Sequence, residues 1–359
     1  MQYFLKSISY LQIISYNVSD FNKTKGRYSM NKKKVAAIFT GGTISMKVDK
    51  RLSAAIPAMS SEEIMSMVTN IDRIAEIEIV PFARIPGPHM TPELMLELAN
   101  VVKTTIARDD ICGVIITHGT DSLEETAFFL DLNIESDKPV IVVGSMRNAS
   151  ELGYDGPSNL SAAICTAASD QATNKGVLVV MNNEVNSARE VTKTHTMSLD
   201  TFKSFSFGPL GIVDNDEVIF YRDITSHNHI LTDQVESSVD LIKSVAGMDS
   251  RMIDFCIAEG TKGIIIEAMG RGNIPPLMID GIKNAVAKNI PVIIVSRCPM
   301  GRVLGSYGYE GGGKMLQDIG AIFGGDLNGQ KARIKLMLAL SVTKDVKEIK
   351  EIFESDYYR

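Results

Sequence analysis

No apolar run in this 359-residue chain approaches the 18 or so residues of a membrane-spanning helix, so a membrane protein is not expected. Positive charge is concentrated nowhere. The net charge of −6 is spread along the chain, which leaves no basic face for nucleic acid. Tryptophan is missing and aromatic residues are sparse. The four cysteines, Cys112, Cys165, Cys256 and Cys298, lie far apart. Three fall in or next to apolar strand-like or helix-like segments, which reads as reduced core thiols in a cytoplasmic protein. There is no Cys-x-x-Cys or His-x-x-x-His pair and hence no sequence basis for a metal site.

What is present is a length suited to two domains on a prior of about 150 residues each. Residues 1–30 hold one early lysine and a short apolar patch, Leu11 to Ile14, with no small-x-small cleavage site before Asp20. They are expected to be a disordered leader rather than a secretory signal. Met30-Asn31-Lys32-Lys33-Lys34 resembles a natural beginning just before the first strand.

Strand-like and helix-like segments then alternate. Lys34 to Phe39 lacks the period-2 alternation of a half-exposed strand and is expected to be a buried parallel strand. Residues 44–59 are polar without firm periodicity, as a loop over a site would be. Ser60 with Glu63 forms a capping-box pattern ahead of a helix to Val68. A strand over 74–82 leads to the rigid turn Pro86-Gly87-Pro88-His89-Met90. Thr91 as N-cap and Pro92 at the first position open a helix whose buried face is expected to be Leu94, Leu98, Val101 and Thr105. The strand 113–116 stops at small polar residues, and Leu123, Ala127, Leu130 and Ile134 form an amphipathic stripe. Strands at 139–143 and 177–181 flank a small-residue helix over 157–168. The pattern loosens from Asp214 to Asp240. Strands then return at 239–245, 263–266 and 291–295, and helices over 330–340 and 346–353 close the chain. This alternation predicts a larger parallel-sheet N-terminal α/β domain over 31–222, a linker over 223–238 and a smaller α/β C-terminal domain over 239–359.

Three clusters stand out. Thr40-Gly-Gly-Thr43-Ile-Ser45 and Thr117-His-Gly-Thr120-Asp121 each sit where a strand ends. In an open parallel sheet that edge is where ligands bind. The third cluster is Thr192-Lys193-Thr-His-Thr196. A threonine hydroxyl is a poor nucleophile until a base takes its proton. A lysine serves as that base only if its pKa falls well below about 10.4; burial lowers it and a neighbouring carboxylate raises it. Each residue also has a plainer reading. Asp121-x-x-Glu124 matches a capping box, and Gly41, Gly42 and Gly119 suit tight turns. The Gly41-Gly42 pair lacks the spacing and lysine of a P-loop, which argues against nucleotide binding. His118 and His195 are read as structural.

The two threonine motifs in this order resemble the paired signature of the bacterial-type L-asparaginase family. The resemblance continues in Gly144-Ser145-Met146-Arg147, in Thr192 to Thr196, in Gly208-Pro-Leu-Gly211 and in Gly325-Asp-Leu-Asn-Gly-Gln-Lys-Ala-Arg333, and it covers essentially Lys32 to the C-terminus. It implies hydrolysis of L-asparagine to L-aspartate and ammonia, with no metal or organic cofactor, in a homotetramer of intimate dimers. It also implies Thr43 as primary nucleophile and Thr120, Lys193 and Asp121 as a second triad, with Asp121 meeting the substrate's α-ammonium. Gly42, Gly87, Pro88, Gly119 and Ser145 would line the substrate, and Glu310 would reach in from the neighbouring subunit. The chain departs from the family twice. Residues 44–80 contain no tyrosine where many members carry one near the nucleophile, so Tyr309 of the neighbour is a candidate replacement. Gly87-Pro88 stand where a substrate-binding serine is expected. Alternatives to an asparaginase are a glutaminase-asparaginase taking L-glutamine as well, and a non-catalytic amino-acid sensor.

Overall fold

Residues 35–38, 114–116, 140–143 and 177–180 are apolar runs shielded from solvent on both sides, and each becomes a strand covered by helices on its two faces. The computed structural model describes residues 32–224 and 228–355; the leader expected over 1–30 lies outside them. The chain enters through β1 (Lys34–Gly41), a 3-10 turn at Thr43–Ser45, and the hairpin β2 (Met46–Asp49) and β3 (Ala54–Pro57). Helices α1 (Ser61–Ser66) and α2 (Ile71–Ile74) precede β4 (Glu76–Ile85), and α3 (Pro92–Ile106) precedes β5 (Ile111–Thr117). Then follow α4 (Leu123–Asn133), β6 (Val140–Val143), α5 (Gly156–Ala168), β7 (Val177–Met181) and β8 (Glu184–Ser187). A detached two-residue pair, β9 (Thr192–Lys193) and β10 (Phe202–Lys203), separates these from the hairpin β11 (Gly211–Asp214) and β12 (Glu217–Phe220).

The large sheet runs β12-β11-β8-β7-β6-β5-β1-β4. Five strands, β4, β1, β5, β6 and β7, are parallel, as expected from the α/β alternation. The other three extend the sheet antiparallel. Local turn chemistry dictates this. Asn182-Asn183 and Asn215-Asp216 take left-handed φ of 51° and 61°, and of 50° and 64°. Two-residue turns of that kind join only antiparallel neighbours. The loosened pattern from Asp214 therefore begins inside a hairpin. The segment read as a loop over 44–59 likewise contains one, β2–β3.

The second sheet is parallel throughout, β13 (Val239–Lys243), β14 (Gly263–Ala268), β15 (Val292–Ser296) and β16 (Ile322–Phe323). It is interleaved with α6 (Arg251–Ala258), α7 (Ile279–Ala287) and α8 (Gly313–Ile319), and followed by α9 (Gly329–Val342) and α10 (Val346–Glu354). Its strands distribute alternate residues to two cores. Ile264, Ile266, Val292 and Ile294 join the cluster with α6, α7 and α8, whereas Ile265, Ile293 and Val295 join the larger core that includes α9 and the first sheet. Helix α9 packs on α4 on one side and on β13 and β14 on the other, so it is buried almost all round. The same contact buries the face of α4 opposite its expected stripe. On α3 the innermost residues are Met95, Leu98, Ala99, Val102, Thr105 and Ile106, with Leu94 and Val101 at the margin of the face. No described helix is long and apolar enough to cross a membrane.

Candidate active site

Strand order locates the site before any side chain is considered. Among the parallel strands, β1 lies between β4 and β5, and the chain reverses its direction of travel across the sheet there. The crevice beyond the carboxyl ends at such a reversal is where open α/β sheets take ligands. The register places the ends of these strands side by side: Phe39 pairs with Thr117, and Gly41 with Ile85. Three turns consequently meet, those after β1, β4 and β5.

They meet through glycine. A Cβ on Gly42 would lie 2.5 Å from the Cα and N of Gly119, and one on Gly119 would lie 2.5 Å from the Cα and N of Gly87. Only backbone without side chains approaches so closely, and Gly42 also needs its φ of +86°. The Thr40 hydroxyl donates to the Thr117 carbonyl at 2.7 Å, and Gly42 N donates to Ile85 O at 2.9 Å. Ser122 Oγ donates to Gly87 O at 2.6 Å. Thr43 and Thr120 thus follow directly from two touching glycines. Thr43 is half-buried in its 3-10 turn, where Ser45 donates through both its N–H and its hydroxyl to Gly42 O.

Thr120 is buried, and the ammonium of Lys193 donates to its Oγ1 at 2.9 Å. The same ammonium donates to Asp121 Oδ1 at 2.8 Å. Lys193 has only 18% of its side chain exposed, whereas Asp121 keeps 64%, leaving the carboxylate open to a ligand. The capping box suggested by Asp121 and Glu124 does not form: the N-cap of α4 is Ser122, with no side-chain cap bond. Asp121 turns to Lys193 instead, and Glu124 accepts from Gln330 at 2.6 Å.

His118 is fully enclosed, and its Nδ1 contacts the Gly119 carbonyl at 2.9 Å while Nε2 has no partner among the described residues. Burial pushes this imidazole down to about 4, so it is neutral at ordinary pH. Gly144 packs under the turn, its missing Cβ leaving room for His118 O and the Thr120 methyl. Ser145 is fully buried and its hydroxyl donates to Arg147 O at 2.7 Å. Asp155, not singled out by sequence, fixes this loop by accepting from Met146 N and Arg147 N at 2.9 Å each.

Gly87 is buried within the triple contact and Pro88 is exposed at its rim. Tyr309 and Glu310 are exposed on the loop ahead of α8. A cavity of about 430 Å³ is lined in part by Lys193 itself, with Arg189, Arg297, Asp326 and Lys331. Thr43, Thr120 and Asp121 do not line it, so Lys193 is the residue it shares with the threonine site.

An open α/β sheet whose switch-point turns carry two hydroxyls and a carboxylate, with an amine brought against them from β9, is the frame of a hydrolytic enzyme. Residues 34–226 match the family model described as the N-terminal domain of asparaginase, and residues 238–353 match the glutaminase/asparaginase C-terminal domain. The chain belongs to the asparaginase family. It is 36% identical to the L-asparaginase of Bacillus licheniformis over 313 residues, 87% of this chain and 97% of that one. It is 35% identical to the probable periplasmic L-asparaginase of Haemophilus influenzae, over 89% of this chain and 92% of the other. The crystal structure of a probable cytoplasmic L-asparaginase from Campylobacter jejuni superposes with a TM-score of 0.81 at 36% identity, covering 90% of this chain and 99% of that one.

Proposed function

We propose that this chain is an L-asparaginase, hydrolysing L-asparagine to L-aspartate and ammonia. The observation that carries the mechanism is the Lys193 amine, 2.9 Å from the Thr120 hydroxyl and 2.8 Å from Asp121. An unstrained amide resists attack, so the site must supply a hydroxyl, a path for its proton and donors for the developing oxyanion. In this reading the Thr43 hydroxyl adds to the side-chain amide carbon. The C–N bond breaks as the nitrogen takes up a proton and leaves as ammonia. The aspartyl ester on Thr43 is then cleaved by water, which restores the hydroxyl. Thr120 and Lys193 pass the protons, and backbone N–H groups of the turn after Gly42 and from Gly119 to Asp121 face the oxyanion. Asp121 holds the substrate's α-ammonium, and the backbone N–H of Gly87 takes the α-carboxylate in place of the missing serine. No metal or organic cofactor enters these steps.

The rest of the assignment follows the same reading. The domains divide at 223–238, and the active unit is a homotetramer in which Glu310 and Tyr309 complete a neighbour's site. Their exposure on a loop supports that role; unchanged turnover in Tyr309→Phe would remove Tyr309 from it. A cytoplasmic location is supported by the described Campylobacter relative and opposed by the Haemophilus one.

Ammonia release from asparagine and from glutamine, in the wild type, Thr43→Ala and Lys193→Met, tests the proposal. One methylene separates the two substrates, a difference of about 1–3 kcal/mol in a pocket, so the ratio of the two rates also decides against a broad glutaminase-asparaginase. Asparagine binding without ammonia release in the wild type would point to a sensor. An amine held against a hydroxyl is not needed for binding alone, which favours the enzyme.

A further inference from the structure

Lys193 stands on a strand with little to hold it. β9 is two residues long, its only strand partner among the described residues is β10, and neither belongs to the large sheet. The chain just ahead of it, residues 188–191, is however gripped from the other sheet's helix. Lys331, in the first turn of α9, has 1% of its surface exposed. Its ammonium donates to Ala188 O at 2.8 Å, to Arg189 O at 2.9 Å and to Val191 O. Two further ties run the same way. Arg189 pairs with both carboxylate oxygens of Asp326, at 2.7 and 3.4 Å, and Gln330 donates to Glu124 at the start of α4, directly after the Thr120-Asp121 turn. The Lys331 ammonium also lies 5.8 Å from the ring centroid of Phe128 on α4. Asn328 caps the helix by accepting from Lys331 N at 3.0 Å, so the gripping residue is itself fixed.

A fully buried ammonium is costly unless all its protons are taken up. Here all three are spent on backbone carbonyls, and no member of the threonine site touches it. We propose that the start of α9 and the turn ahead of it, through Lys331 and Asp326, are the mount that sets the Lys193 amine against Thr120, making Lys331 a positioning residue for the hydrolysis. This rests on the reading of Lys193 given above. The physical logic is that α9 grips the Lys193 strand through residues 188–191 and the Thr120-Asp121 turn through α4, so it fixes the distance between the two. Burial lowers the Lys331 amine to about 8, opposed mainly by Glu124, which fits a group held for its geometry rather than its exposure to solvent.

The test is a set of double mutants in the full-length protein, with asparagine as substrate and ammonia as readout. Lys331→Met and Asp326→Asn are each made alone and in combination with Lys193→Met. Lys331→Met is expected to lower kcat on the order of 100-fold, the penalty for a reacting group misplaced by about an ångström. KM stays within about threefold, because the substrate's own contacts are untouched. Asp326→Asn, a partly exposed position that leaves the core intact, gives a smaller loss in the same direction and carries the test if Lys331→Met does not fold. In the Lys193→Met background neither substitution lowers turnover further. Losses that multiply in the double mutants, or an unchanged kcat in the single ones, overturn the inference. Wild-type turnover in Lys193→Met alone is a different result: it removes the reading of Lys193 itself, and this inference with it.

Discussion

The phenol of Tyr154 donates to the carbonyl of Ile44 at 2.6 Å, joining the loop after β6 to the residue that follows Thr43. Ala149 N donates to Met46 O, and Val48 N donates to Ser150 Oγ, each at 3.0 Å, so three bonds hold the segment from Ile44 to Val48 to that loop. The absence of a Cβ at Gly156 leaves space for the phenol ring. Burial raises the phenol's pKa, which keeps it a donor.

Because Ile44 is fully buried, its carbonyl has no solvent to turn to when the phenol is removed. Tyr154→Phe is expected to cost about 1–3 kcal/mol of stability, the penalty of an unpaired buried acceptor. Asparagine turnover should fall about tenfold as the Thr43 turn loosens. Chemical denaturation and ammonia release on the same preparation measure both; unchanged values would show that the tie is dispensable.

Gly119 offers a sharper steric test. A methyl there meets the Cα and N of Gly87 at 2.5 Å, and backbone on both sides leaves no flexible side chain to move. Gly119→Ala should lower stability by about 2–4 kcal/mol. It should also separate the turns that carry Thr43 and Thr120, and so abolish most of the ammonia release. A variant with wild-type rate and urea midpoint would contradict the triple glycine contact.

His118 sets a dependence on pH. Its folded pKa, about 4, lies below the ordinary value of 6.5 because burial disfavours the imidazolium. The unfolded chain therefore binds a proton between those values when the folded one does not. The stability this group contributes is complete above 6.5 and is lost as pH falls toward 4, by up to about 3 kcal/mol. His118→Asn keeps an N–H for the Gly119 carbonyl and cannot titrate, so its unfolding free energy should be flatter across that window. Identical acid slopes in the two proteins would contradict this.

Strands β1, β5, β6 and β7 were readable because strands buried on both faces are continuous apolar runs, the edge strand β4 from its alternation at Ile77 and Ile79, and the capping box at Ser60 and Glu63 forms as read. The hairpins at Asn182-Asn183 and Asn215-Asp216 carry their own signal, turn residues that tolerate positive φ, and it runs against the uniform α/β alternation of the segments around them. Other features depend on tertiary partners. Asp121 looked like a helix cap because its competing partner, Lys193, is 72 residues away. The stripe on α4 understated its burial because α9, from the far end of the chain, covers the other side. Tyr154 lies 110 residues from Ile44 and carries no motif of its own. The pairing of Thr120 with Lys193 was accessible only through family resemblance, since neither residue type at that separation implies the other.

The most direct test of the account is whether Thr120 and Lys193 act as one unit. Turnover of asparagine is measured in Thr120→Val, in Lys193→Met and in the double mutant. The account predicts that each single substitution lowers kcat on the order of 10²–10⁴-fold, the range of a lost proton-transfer group. The double mutant should be no slower than the worse single one, because residues that work as a unit fail together. Losses that multiply, or wild-type turnover in either single mutant, would contradict it.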